Sequence, residues 1–159
     1  MKSQASLARN ATAADTRSGG AGITGEQAAK LGLVGVMNSL KHECKKYGIL
    51  VNTVAPVALT RMTEDLPFAA MIKEAAPERV SAAVAFLASE ACELTGEVIA
   101  AGTGYLARVQ IMESQGVHLA PVDVTPEAVA ANWEKIADMS GARSFDSAAA
   151  ALAGAFSPN

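Results

Sequence analysis

The chain has 159 residues, half of them hydrophobic and only 4% aromatic, and its formal net charge is −3 at pH 7. That is the size and apolar content of one packed domain, and it excludes wholesale disorder. No Lys/Arg run exceeds two residues and no apolar run nears the ~18 residues of a membrane span, so neither a nucleic-acid surface nor a membrane anchor is expected.

Residues 1–21 differ in composition from the remainder of the chain. They are rich in Ser, Ala and Thr and nearly free of large apolar side chains, which predicts a disordered leader. Their Arg and Ser content also suits a targeting segment. From Gly25 to Gly48 the pattern is helical. Leu33, Val36, Met37, Leu40 and Cys44 recur at helical spacing and predict one buried stripe. Ala28, Gly32 and Gly35 form a second track of small residues that admits close approach of another backbone. Lys45 and Lys46 suit the negative end of the helix dipole, and Gly48 supplies the stop.

Residues 49–55 (ILVNTVA) are short, apolar and partly β-branched, and predict a buried strand ended by Pro56. The stretch 57–76 predicts a loop with a short helix. Pro77 opens another helix, with Val80, Ala83, Val84 and Leu87 as its core stripe and Thr95-Gly96 as its close. Residues 97–101 predict a second parallel strand, followed by Gly102-Thr103-Gly104. Thr125-Pro126 marks a third helix over 126–138, with Thr as N-cap, and Trp133 is expected in its core stripe. A weak helix over 145–155 and a loose tail complete the chain. Two strands leave exposed edges, so the pattern asks for neighbours beyond those it predicts.

The ordered run from residue 26 to 62 is the informative part. Ala28-Ala29-Lys30, Gly32-Leu33-Val34-Gly35 and Asn38-Ser39-Leu40 are followed by Tyr47-Gly48-Ile49, Val51-Asn52-Thr53-Val54-Ala55-Pro56 and Thr60-Arg61-Met62. This resembles the second half of a short-chain dehydrogenase/reductase. Further motifs are Ala101-Gly102-Thr103-Gly104-Tyr105, Thr125-Pro126-Glu127 and Ala131-Asn132-Trp133. They are similar to the (3R)-hydroxyacyl-CoA dehydrogenase unit of peroxisomal multifunctional enzyme type 2 and its bacterial relatives. The resemblance implies an α/β fold: the C-terminal half of a Rossmann-like, doubly wound parallel sheet over residues 22–118, with an α-helical extension over 119–159. It implies NAD or NADP as cofactor, an acyl-CoA-type substrate and a homo-oligomer built through the Lys-bearing helix. It also implies roles for particular residues. Lys30 is the counterpart of the family's active-site Lys, which lowers a Tyr pKa and bonds the nicotinamide ribose. Ser18 resembles the Ser that stabilises a developing oxyanion. Pro56, Val57, Leu59 and Thr60 match the loop over the nicotinamide. Read without the family, Lys30 is a solvated helix lysine, Ser18 a loop serine and Thr60 the cap of a turn.

The departures matter as much. The position four before Lys30, where the family has its Tyr, is Glu26, and a carboxylate there predicts an i, i+4 ion pair with Lys30. The spacing from Ser18 to Lys30 is short for the family. No glycine-rich strand-to-helix turn of dinucleotide-binding type precedes Lys30. Cys44 and Cys92 show no metal-binding spacing and read as reduced thiols of a cytoplasmic protein, with a peroxisomal or mitochondrial matrix location as the eukaryotic alternative. His42 and His118 read as single histidines without acidic or cysteine partners, so no metal site is expected. Asn52 reads as a strand amide paired with backbone. Two functional classes are open: a truncated oxidoreductase, inactive alone, or a non-catalytic relative that serves as an association module.

Overall fold

The computed structural model of the chain describes residues 8–11, 24–61, 64–65 and 69–156, the first range by its backbone alone. It falls into two compact units, Met1–Val109 and Gln110–Asn159. The division comes ahead of the expected boundary at 118.

The first unit is built on a four-stranded sheet, in the order β1 (Ala8–Ala11), β2 (Val51–Pro56), β3 (Val98–Gly102) and β4 (Tyr105–Val109). β1 and β3 both run parallel to β2, and β4 runs antiparallel to β3. Two strands were expected and two more are present. Ala8–Ala11, inside the expected leader, is one of them; the rest of that segment lies outside the described residues. The other, β4, returns from β3 through the two-residue turn Thr103-Gly104, whose φ angles are 53° and 89°. Positive φ at both central positions is the backbone of a type I′ hairpin turn. The Thr-Gly pair carried that signal, although Thr is not the residue type usually found there.

Helix α1 (Thr24–Glu43) precedes β2, and α2 (Glu78–Ala88) lies between β2 and β3. Side chains alternate along β2. Val51 and Ala55 join Val34 and Met37 of α1 in one core, whereas Val54 joins Ala83, Leu87 and Cys92 in the other. β2 is thus covered on both faces, which is why it reads as an unbroken apolar run. This is the α/β, doubly wound arrangement that the sequence predicted, with a mixed rather than purely parallel sheet.

The expected helix over 26–47 ends earlier as an α-helix. Its last turn, Lys45–Tyr47, is a 3-10 helix closed by Gly48 at φ 69°. Within α1, Val34 takes the buried place expected of Val36, which is 47% exposed. One residue is about 100° of helix, enough to carry Val36 off the line of Met37. Thr95-Gly96 do not close α2, which ends at Ala88. They bind β2 instead: Thr95 Oγ1 accepts from Val51 N at 3.1 Å, and Gly96 N donates to Val51 O at 2.7 Å.

The second unit holds α3 (Pro126–Ala131), α4 (Trp133–Ile136) and α5 (Ala148–Phe156). Thr125 caps α3 as expected, accepting from Ala128 N at 3.1 Å. The single helix expected over 126–138 is broken at Asn132, and Trp133 is 60% exposed rather than core.

Candidate active site

Parallel α/β sheets place ligands outside the carboxyl ends of their strands. In this unit that edge is where Pro56 ends β2 and Gly102 ends β3, and Pro56 is paired in register with Ala101.

The packing of α1 determines what reaches this edge. Thr53 Oγ1 donates to Met37 Sδ at 3.2 Å, so Met37 stands level with Thr53. At the other end of the helix, Ile49 N donates to Cys44 O at 3.4 Å, which orients α1 antiparallel to β2. Seven residues back along α1 from Met37 is Lys30, a helical rise of roughly 10 Å. Three residues on from Thr53 is Pro56, an extended rise of roughly 10 Å. Equal rises along the two elements would bring Lys30 toward the level of Pro56 and the carboxyl edge. Its side chain is 15% exposed, and its ammonium donates to the Glu26 carboxylate one turn earlier. The ion pair expected from the i, i+4 spacing is present, and it occupies the place that the family gives to Tyr.

The segment from Pro56 to Thr60 leaves the strand at the same edge. It is tied down by two backbone bonds, Val57 N to Ala101 O at 2.8 Å and Leu59 N to Ala75 O at 2.7 Å. Those N–H groups hold the loop, so Val57 and Leu59 are placed here as framework before any role toward a ligand. Thr60 is exposed, and its carbonyl accepts from Glu64 N at 2.9 Å. Asn52 behaves as expected of a strand amide. Its Nδ2 donates to Leu94 O at 2.8 Å and its Oδ1 accepts from Glu97 N at 3.1 Å. Ser18 lies outside the described residues. Cys44 and Cys92 are free thiols.

The structure adds residues that sequence reasoning missed. Gly102 lies directly against the Val57 peptide, and Ala75, fully buried, supplies the carbonyl that holds Leu59. Glycine directly after a buried strand was the visible signal for the first. Nothing in the pattern of residues 57–76 marked the second.

The groups present fit one end of a nicotinamide dinucleotide. A nearly buried cation and a short anchored loop would meet at the carboxyl edge. For the pyrophosphate, the expectation of no glycine-rich turn falls largely outside the described residues: Gly20-Ala21-Gly22-Ile23-Thr24-Gly25 has G-x-G-x-x-G spacing and stands between β1 and α1, and residues 12–23 are not among those described.

No protein-family model matches the chain. A short-chain type dehydrogenase/reductase of Mycobacterium tuberculosis is 40% identical over 127 residues, covering 79% of this chain and 43% of that protein. Peroxisomal multifunctional enzyme type 2 of Mus musculus is 38% identical over 126 residues, covering 78% of this chain and 17% of its own length. Among solved structures, full-length peroxisomal multifunctional enzyme type 2 of Drosophila melanogaster superposes with a TM-score of 0.76 at 28% identity, covering 92% of this chain and 27% of that one. The chain spans less than half the length of each of these relatives.

Proposed function

Because the chain belongs to the short-chain dehydrogenase/reductase family, we propose that it is the nicotinamide-side part of an oxidoreductase of the 3-hydroxyacyl-CoA dehydrogenase type, inactive by itself. The observation that carries the reading is the Thr53–Met37 contact, from which ideal helix and strand rises would bring Lys30 toward the level of the Pro56–Thr60 loop. NAD or NADP, when bound, accepts hydride from the carbon that bears the substrate hydroxyl. Lys30 would present its ammonium to the nicotinamide ribose, and Thr60 its hydroxyl to the carboxamide. The Val57 and Leu59 bonds keep that loop in place.

One feature supports inactivity of the chain alone. The position four before Lys30, where the family has its proton-transferring phenol, is Glu26, and a general acid–base group is worth ~10²–10⁴ in rate.

The test has two arms. Nicotinamide mononucleotide at millimolar concentration should shift the amide resonances of Lys30 and of residues 57–60, and Lys30→Ala should weaken that response. NADH formation from NAD and a 3-hydroxyacyl-CoA should be undetectable, also for Glu26→Tyr. Turnover by the unmodified chain that Lys30→Ala abolishes would overturn the claim of inactivity. Nucleotide-induced shifts confined to other residues would overturn the site.

A second reading, self-association, rests on the outer face of α1. Ala28, Gly32 and Gly35 are exposed there, and a Cβ added at Gly32 or Gly35 would meet nothing within 4 Å. Leu31 and Val36 flank them at 50% and 47% exposure. Such a face suits a second copy of the chain. Sedimentation should show association that Gly35→Arg abolishes, and a monomer at all concentrations sinks this reading.

A further inference from the structure

Gly102 closes β3 with its backbone outside the left-handed region, so the local conformation would admit any residue. What excludes a side chain is space. A Cβ at Gly102 would lie 2.9 Å from Val57 Cβ and 3.2 Å from the Val57 carbonyl carbon, and closer still to the carbonyl oxygen. Gly96, Gly141 and Gly154 also have close neighbours, but those neighbours are side chains. At Gly102 the obstacle is mainly a peptide group, which cannot swing away by changing rotamer.

The peptide groups on either side of the Val57 carbonyl are tied down. In the preceding one Val57 N–H is bound to Ala101 O, of the residue before Gly102, and in the following one Leu59 N–H is bound to Ala75 O. Any atom added at Gly102 must therefore lift the Val57 peptide against these two bonds. We propose that Gly102 is a positioning residue, whose missing side chain sets the height of the Val57–Thr60 loop over the carboxyl edge. The consequence for ligand rests on the cofactor reading above: a lifted loop carries Thr60 away from the level of Lys30 and weakens nicotinamide binding.

The experiment compares wild type with Gly102→Ala by amide hydrogen exchange and by titration with nicotinamide mononucleotide. In the variant, Val57 and Leu59 amides should exchange at least tenfold faster while Val51 and Val54 keep their protection. The nucleotide dissociation constant should rise at least tenfold. A uniform acceleration over the whole sheet would mean general destabilisation, and it overturns the proposal. So does unchanged exchange at Leu59, or a freed loop with unchanged nucleotide affinity. A wild type that gives no nucleotide response sinks the functional reading, and the exchange arm then decides the mechanical claim by itself. Should Gly102→Ala not fold, the same substitution in a Val57→Gly background relieves the Cβ part of the clash and keeps the peptide part. Leu59 should then still exchange several-fold faster than in Val57→Gly alone, and unchanged exchange overturns the proposal.

Discussion

Met37 sets the register of α1 on β2, and replacing it separates packing from hydrogen bonding. The side chain is 1% exposed, and its sulfur accepts from the hydroxyl of Thr53, which is 0% exposed. Met37→Ala removes a buried side chain at ~2–5 kcal/mol and strands a buried hydroxyl at ~1–3 kcal/mol. That sum is large enough to unfold a marginal unit, so Met37→Leu is the better probe. Leucine conserves volume, and the swap alone should cost less than about 1.5 kcal/mol. Any excess reports the orphaned hydroxyl. In a Thr53→Val background there is no hydroxyl to orphan, so the cost of Met37→Leu should fall by about 1 kcal/mol. Native-state hydrogen exchange of the Val51, Thr53 and Val54 amides reads the stability of this unit directly. Strict additivity of the two substitutions would refute the claim that Thr53 and Met37 are coupled. It would also remove the anchor from which the height of Lys30 is derived.

Thr103 sits at φ 53°, where a β-branched residue is strained. Thr103→Asn should stabilise the β3–β4 hairpin by about 0.5–1 kcal/mol, seen as slower exchange of the β4 amides; faster exchange would show that the Thr103 Oγ1 bond to Gly102 O, at 2.7 Å, outweighs the strain. Trp133 is the one tryptophan and is exposed, so native fluorescence should resemble indole in water, and a strongly blue-shifted band would place it in a core after all. The backbone N–H of Ser140, at 2.8 Å, and then its hydroxyl hold the Asp138 carboxyl below the usual aspartate range. A depressed folded-state pKa means that this group's contribution is present above the unfolded pKa and is lost as pH falls through the folded one. Carboxyl NMR should give a low midpoint that Ser140→Ala raises only in part, because the larger backbone contribution remains.

The parts of the fold legible in the sequence are those dictated by one element's own chemistry. Gly48 stops a helix because it reaches positive φ, Thr125 caps α3 because its hydroxyl reaches a free N–H, and β2 reads as buried on both faces because it is. The parts that were not legible depend on partners distant in sequence. β1 is four residues with no large apolar side chain, and only pairing with β2 makes it a strand. β4 alternates weakly because much of it is exposed. Val34 against Val36 is decided by the rotation of α1 on the sheet, which the spacing of apolar residues alone leaves open. Trp133 lies on the predicted stripe, but the helix breaks at Asn132 and Trp133, the first residue of the short α4, is exposed. At the site, Lys30 and the Pro56–Thr60 loop were visible as a resemblance. Their common height came only from the Thr53–Met37 contact.

That height bears on which half of the chemistry the chain retains. A cation near the carboxyl edge can orient a nicotinamide ribose and can depress the pKa of a neighbouring phenol. Here the neighbour one turn away is the Glu26 carboxylate, which already pairs with Lys30. A carboxylate in that position pairs with the ammonium and is not the phenol that the proposed chemistry uses. On the proposed reading Lys30 would serve as a binding group, while its second role, tuning a proton donor, would have nothing to act on there. The loop is in the same condition. It is anchored by backbone bonds at Val57 and Leu59, a property that suits a surface that would meet a cofactor without reorganising. On the proposed reading, both halves of the candidate site would position a nicotinamide, and proton transfer would come from groups other than those at residues 26 and 30.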